Sequence, residues 1–161
     1  MSRLDSVIRR LSAQRDILNH VAQDLALPET GAFLELGLGN GRTYHHLRGL
    51  FPDRRIVVFD RALQAHKSSI PEDPADVVLG EIAETAAGFA GQGAALVHAD
   101  IGTGYADVDA QTSAWLSDLV PPLLAPGGIC VSGLPLTHPA LRALPLPPSV
   151  PTDRYDLYVR L

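Results

Sequence analysis

Short apolar runs that do not alternate with polar residues constrain this chain more than any other feature. They read Gly31-Ala32-Phe33-Leu34-Glu35-Leu36, Ile56-Val57-Val58-Phe59, Ala75 to Leu79, Ala94 to Ala99 and Ile129-Cys130-Val131. A strand with one solvated face alternates, whereas an unbroken run is covered on both faces. Between the runs lie helical stretches: Arg42 to Arg48 closed by Gly49, Glu81–Ala90, and roughly Asp109–Leu124, which Pro121 and Pro122 must kink or terminate. Ahead of them, Leu4, Val7, Ile8, Leu11, Ile17, Leu18, Val21 and Leu25 recur at helical spacing. Ser2 and Asp5 imitate a capping box at the start of that helix, and Pro28 stops it. Strand and helix in alternation imply right-handed βαβ units. The expected fold is therefore α/β, a doubly wound, mostly parallel sheet with helices on both faces. Ligands of such sheets bind beyond the carboxyl ends of the strands.

The end of the chain reads as shortened. Leu141 to Leu146 supplies a stunted sixth strand or none, and Pro145, Pro147, Pro148 and Pro151 precede a final strand at Tyr155–Val159. With about 150 residues per domain, 161 residues make one. Its expected parts are an N-terminal helix over 1–27, a core over 31–133 and a tail over 134–161.

Composition narrows the function. Thirteen basic against eighteen acidic residues give a net charge of −5, with Lys67 the only lysine. Nucleic-acid binding draws on clustered Lys and Arg, so no nucleic-acid partner is expected. Cys130 is the only cysteine, which excludes an intrachain disulfide and a cysteine-built zinc site. No stretch approaches the roughly 20 apolar residues of a membrane span. Charges at Arg3 and Asp5 break any signal-like run, so no membrane association and a cytoplasmic location are expected.

Gly37, Gly39 and Gly41 stand where the first strand hands over to a helix. Glycine there allows positive φ and close approach of a ligand to the backbone. The helix N-terminus adds free N–H groups and partial positive charge. A dinucleotide fingerprint needs glycine where this chain has Arg42, which disfavours a nicotinamide oxidoreductase; a P-loop needs Gly-Lys-Ser/Thr at a different spacing. Glu35, two residues before the first glycine, would repel a pyrophosphate but tolerate an ammonium or sulfonium. Asp60 ends the second strand about 20 residues on, placed to accept both hydroxyls of a ribose.

The run Glu35-Leu-Gly37-Leu-Gly39-Asn-Gly41-Arg-Thr resembles the first motif of the class I S-adenosylmethionine-dependent methyltransferases, a Rossmann-like family. The likeness continues through Asp60, Leu79-Gly80-Glu81-Ile82, Ala99-Asp100 and the turn Leu123–Ile129, and covers roughly residues 31 to 133. It implies S-adenosyl-L-methionine as cofactor, S-adenosyl-L-homocysteine as product and in-line methyl transfer to a small-molecule acceptor. Carried over by position, the loop Gly37-Leu38-Gly39-Asn40-Gly41 would hold the methionine portion, with Glu35 ordering its amino group directly or through water. Asp60 would take the ribose hydroxyls and Arg61 one face of the adenine. After Gly80, Glu81 would accept from the adenine amino group, and the Ile82 N–H would donate to a ring nitrogen. Asp100 would border the methionine end and the acceptor. The alternative is a cofactor-binding regulatory or assembly subunit without catalysis.

A base is needed only when the acceptor must lose a proton. Asp100 and His138 are the candidates; the rival reading of His138 is a solvent-facing residue in a helix capped by Thr137. Tyr105 borders the same mouth. His98 reads as a core residue, and one of His45 and His46 is expected to face the cofactor. Val97-His98-Ala99-Asp100 with Tyr105 faintly resembles metal-assisted O-methyltransferases, but Ser132-Gly133-Leu134-Pro135 lacks the further oxygen ligands, so no metal is expected. Trp115 and Leu119 read as buried packing. Without a sizeable insertion, acceptor selection falls to the N-terminal helix, the loop 101–110, the tail or a partner subunit, a homodimer included.

Overall fold

A computed structural model describes residues 1–161. Helix α1 (Arg3–Asp24) opens on the expected capping box: the Ser2 hydroxyl accepts from the Asp5 N–H and the Asp5 carboxylate accepts from the Ser2 N–H. Strand β1 (Phe33–Leu36) leads into α2 (Arg42–Leu50), and β2 (Ile56–Asp60) and β3 (Val77–Leu79) follow. Then come α3 (Ile82–Thr85), β4 (Ala94–Ala99), α4 (Ala106–Leu123), β5 (Leu124–Ser132), β6 (Leu141–Ala143) and β7 (Asp156–Arg160).

The strands form one sheet in the order β3-β2-β1-β4-β5-β7-β6, with β1 to β5 parallel and β7 antiparallel to both its neighbours. The chain winds outward from β1 to β3 and then restarts at β4 on the other side. The switch point therefore lies between β1 and β4, and both strands are buried throughout. One apolar layer, around Ile17, Leu18, Phe33 and Leu47, packs α1 and α2 on one face. A second, around Leu36, Phe59, Leu116 and Val120, packs α4 on the other, with Trp115 and Leu119 half-buried at its margin. No helix is long and apolar enough to cross a membrane.

Several local expectations give way to tertiary structure. Gly49 does not close α2, which runs one residue past it and is capped by the Phe51 N–H on Leu47 O. The third strand begins at Val77, because Asp73 caps a single 3-10 turn that takes up Pro74–Asp76. The helix expected over Glu81–Ala90 is one α-turn followed by a 3-10 turn at Ala86–Phe89. Helix α4 begins earlier than expected, at Ala106, and its prolines sit in the last turn, ending rather than kinking it. The turn at 125–128 bulges out of β5, whose pairing with β4 jumps from Ala94↔Leu124 to Leu96↔Ile129.

A sixth strand is present; what the tail lacks is a helix between β5 and β6. Residues 133–140 instead pass through bends and a turn, fastened between α4 and β7. The Leu136 N–H donates to Tyr158 Oη at 2.8 Å, the Thr137 N–H to Ser117 Oγ at 2.9 Å, and the Ser113 hydroxyl to Pro135 O. No helix forms behind Thr137.

Candidate cofactor and acceptor site

Beyond the carboxyl ends of β1 to β4 lies a cavity of about 550 Å³. Its floor is the glycine turn. Gly37, Gly39 and Gly41 adopt φ of +89°, +54° and +83°, which L side chains rarely tolerate. The turn closes tightly: the Gly37 N–H donates to Phe59 O at 2.8 Å and the Gly41 N–H to Leu38 O at 2.9 Å. A Cβ on Gly41 would lie 2.4 Å from Ser69 O, whereas one on Gly39 would meet nothing within 4 Å. Gly39 is thus the open face of the turn and Gly41 its packed underside.

Asp60, at the tip of β2, ties into that turn. Its Oδ2 accepts from the Gly39 N–H at 2.8 Å and its Oδ1 from the Arg61 N–H at 2.7 Å. Each oxygen keeps a second lone pair, the disposition that a vicinal diol needs. Arg61 Nε lies 3.1 Å from Glu81, so an exposed ion pair joins the tips of β2 and β3. Ile82 is the first residue of α3, where an N–H has no intrahelical acceptor. Gly37, Leu38, Gly39, Asn40, Asp60, Arg61, Glu81, Ile82 and Asp100 all line this one cavity. Gly41 caps α2 behind it, and Gly80, with φ +140°, sets the bend from β3 into α3.

Asp100, at the tip of β4, is held by distant parts of the chain. Its Oδ2 accepts from Gln14 on α1 and from the Tyr155 hydroxyl at 2.9 Å. Below its other oxygen sits Gly133, where a Cβ would come within 2.8 Å of Oδ1. Burial, and then the charge of Asp100, push the Tyr155 phenol far above its usual range, so it serves as a neutral donor. Beneath the turn, Glu35 pairs with His98, its register partner on β4, and both are fully buried. Burial pulls the His98 imidazole down; the Glu35 charge and hydrogen bond, with Asp100 behind them, outweigh that and raise it.

Some expected site residues lie elsewhere. His138 does not reach the cavity: it precedes β6, and Leu141 of β6 pairs with Arg160 at the end of β7 remote from the cavity. The His138 ring instead accepts from the Ala140 N–H. Neither histidine of α2 lines the cavity; His46 bonds Asn19 of α1 at 2.7 Å, and His45 is exposed. Tyr105 is exposed at the head of α4. Glu35 presents no surface to the cavity, so direct contact with a ligand is closed to it. Conversely Arg10, Gln14, Thr43 and Trp115 line the cavity. Gln14 had one signal in the sequence, a polar residue on the apolar stripe between Leu11 and Leu18.

A larger hollow, about 690 Å³, opens at the opposite end of the strands. Of its two arginines, Arg54 holds the carbonyls of Pro28, Glu29 and Gly31, and Arg55 pairs with Asp76.

The donor set around the glycine turn discriminates among ligands. Three carboxylates, Asp60, Glu81 and Asp100, face the cavity, and a fourth lies beneath the turn. Arg10, Arg42 and Arg61 line the same cavity, so it carries no cationic excess to draw a pyrophosphate, and an acid at a strand tip beside a glycine turn suits the sugar of a nucleoside. Sheet order and site together define a class I S-adenosylmethionine-dependent methyltransferase. The family model for S-adenosyl-L-methionine methyltransferases matches residues 1–160, and the chain belongs to that family. It is similar to an S-adenosyl-L-methionine methyl transferase from Silicibacter pomeroyi DSS-3, at 40% identity over 99% of each chain with a TM-score of 0.86. The fold is also shared with a mutant 16S rRNA (adenine(1408)-N(1))-methyltransferase from Catenulisporales acidiphilia solved with its cosubstrate, at 15% identity, 91% and 89% coverage and a TM-score of 0.53. A third structure with this fold is the pyocyanin biosynthetic protein PhzM, at 13% identity, covering 91% of this chain and 55% of that one, TM-score 0.56. No curated protein matches the chain.

Proposed function

We propose that this methyltransferase acts on a small, polar acceptor bound between α1 and the tip of β4. The observation that carries this reading is the extension of the cavity past Asp100 to Gln14 and Arg10. A subunit that only held cofactor would need no room beyond the methionine end.

S-adenosyl-L-methionine supplies a methyl group activated on a sulfonium, so the protein's task is mainly to hold and align. In this reading Asp60 takes the ribose hydroxyls, and Arg61, Glu81 and the Ile82 N–H frame the adenine. The open face of the turn at Gly39 lets the methionine portion lie against the backbone. Asp100, its Oδ2 satisfied by Gln14 and Tyr155, offers Oδ1 to an N–H or O–H of the acceptor and can take its proton. His138 has no part in this site.

A duplex or folded RNA is a poor fit. The chain carries −5 overall, and the arginines lining the cavity are matched by as many carboxylates. The test is methyl transfer from labelled cofactor to a panel of small amines, alcohols, acids and thiols, run beside ribosomal and transfer RNA. Labelled small product supports the reading. Labelled RNA with an unlabelled panel would overturn it.

A further inference from the structure

Arg10 stands on the face of α1 where an apolar residue belongs. The buried residues of that helix are Ala13, Ile17, Leu18 and Val21. Counting back from Val21 through Ile17 and Ala13, in steps of four, four and three, leads to Arg10, the spacing of a single helical face. Gln14 continues the same stripe and donates to Asp100. Ahead of Ala13 no residue of α1 is buried, and Arg10 borders the cavity instead of the sheet. A residue whose only task is to solvate the helix would stand on the opposite side.

Its charge has no partner. On the same helix Arg9 pairs with Asp153 and Arg15 with Asp16, whereas the Arg10 guanidinium enters neither an ion pair nor a hydrogen bond. Of the other cations lining the cavity, Arg61 pairs with Glu81, and Arg42 opens α2 directly after the glycine turn, beside the cofactor's amino-acid end in the pose above. Arg10 is therefore the guanidinium at the acceptor end. It stands one helical turn, about 6 Å, from the residue that holds Asp100. Three arginines and three carboxylates balance in the cavity lining, and the cofactor adds a sulfonium, an ammonium and one carboxylate. The loaded site is left with a positive excess that a singly charged anion neutralises.

Resting on the small-acceptor reading above, we propose that Arg10 receives a carboxylate of the methyl acceptor, which makes the acceptor class a small carboxylic acid bearing an amine, hydroxyl or thiol. A planar guanidinium meets a carboxylate through two parallel N–H···O bonds, and without a second cation beside it the position suits a carboxylate better than a phosphate dianion. With the carboxylate on Arg10, the acceptor's nucleophile lies toward Asp100. Its lone pair displaces sulfur at the methyl carbon, the carbon–sulfur electron pair stays with sulfur, and the acceptor's proton passes to Asp100.

The test uses matched probes: short-chain amino, hydroxy and mercapto acids, each beside its own primary amide, which keeps the nucleophile and removes the charge. Calorimetry reads their binding to the S-adenosylhomocysteine complex, and labelled cofactor reads transfer. Wild type is expected to bind at least one acid about tenfold or more tightly than its amide, and to methylate that acid. Arg10→Gln abolishes the preference, and the loss falls on KM with kcat within about twofold. Arg10→Lys keeps part of it, because the charge remains without the fork. Affinity for S-adenosylhomocysteine stays within about twofold in both variants. If no acid binds more tightly than its amide, or if the preference survives in Arg10→Gln, the proposal is overturned. A matching fall in S-adenosylhomocysteine affinity would assign Arg10 to the cofactor and overturn it equally. Labelled amides with unlabelled acids would remove the carboxylate site and leave the small-acceptor reading standing, whereas labelled RNA beside an unlabelled panel would remove that reading itself.

Discussion

Asp60 has two jobs at once, and substitutions separate them. Its carboxylate fastens the Gly39 and Arg61 amides, and in the proposed cofactor pose its remaining lone pairs take the sugar diol. Asp60→Ala is expected to lower S-adenosylhomocysteine affinity by about 1.5–3 kcal/mol, as for lost charge-assisted hydrogen bonds, measured by calorimetry. The glycines of the turn divide in the same way. Gly41→Ala forces φ +83° on a Cβ that also meets Ser69 O at 2.4 Å, so it should lower the unfolding midpoint sharply. Gly39→Ala meets no atom and should cost only the left-handed strain, about 1–2 kcal/mol, while cofactor affinity drops because its methyl stands where the ligand approaches. Equal unfolding midpoints for the two variants would contradict this division. These positions were legible in the sequence because their requirements are local: positive φ at a strand-to-helix turn, an acid at a strand tip. Gln14 and Tyr155 were not, because they reach Asp100 from 86 and 55 residues away. His98 was legible as buried but not as paired, since its partner is set by the register of β1 against β4 rather than by anything near it in the chain.

Element by element, the parallel core was readable wherever a strand is covered on both faces, and unreadable where side chains replace backbone periodicity. Both N-terminal strands and the α1 cap follow from pattern alone. The segment between β5 and β6 does not, because what holds it is contributed by Ser113 and Ser117 of α4 and Tyr158 of β7. Tyr158 and Ser117 accept from backbone N–H groups and Ser113 donates to a backbone carbonyl, partners that a helix would have found in its own backbone. No helix therefore forms behind Thr137, and His138 lies away from the cavity. Tyr158→Phe therefore leaves the buried Leu136 N–H without an acceptor and is expected to cost about 1–3 kcal/mol in chemical denaturation. Since neither Tyr158 nor Leu136 lines the cavity, S-adenosylhomocysteine affinity should be unchanged. A fall in affinity with no fall in stability would mean that the segment between β5 and β6 communicates with the site.

At the scale of the whole molecule, the buried Glu35–His98 pair makes stability depend on pH. The folded-state pKa of His98 is raised above 6.5, because Glu35 and Asp100 outweigh burial. A raised value means that the folded protein holds the proton more tightly, so this contribution is fully present below about pH 6.5. It is lost as pH rises through the folded value. Asp156, also raised by burial, adds a similar loss, but beginning near 3.8 and so in a separate window. The tyrosines shifted by burial, Tyr155 and Tyr158, start from 10.0 and move upward, out of the way on the other side. His46, lowered from 6.5 chiefly by burial, has the opposite sign, with stability rising as pH climbs to that value. Unfolding free energy of the wild type should therefore decline on going from about pH 6.5 toward pH 9. The variant with leucine in place of both Glu35 and His98 should show no such decline. Either single leucine leaves one buried charged or polar partner alone and is expected to cost about 3–5 kcal/mol. The double replacement should recover that loss, ending near or above wild-type stability, because leucines need no counter-charge in a layer that already contains Ile17, Phe33 and Leu96. If the double variant were instead several kcal/mol less stable, the ion pair would be a net stabiliser of the fold.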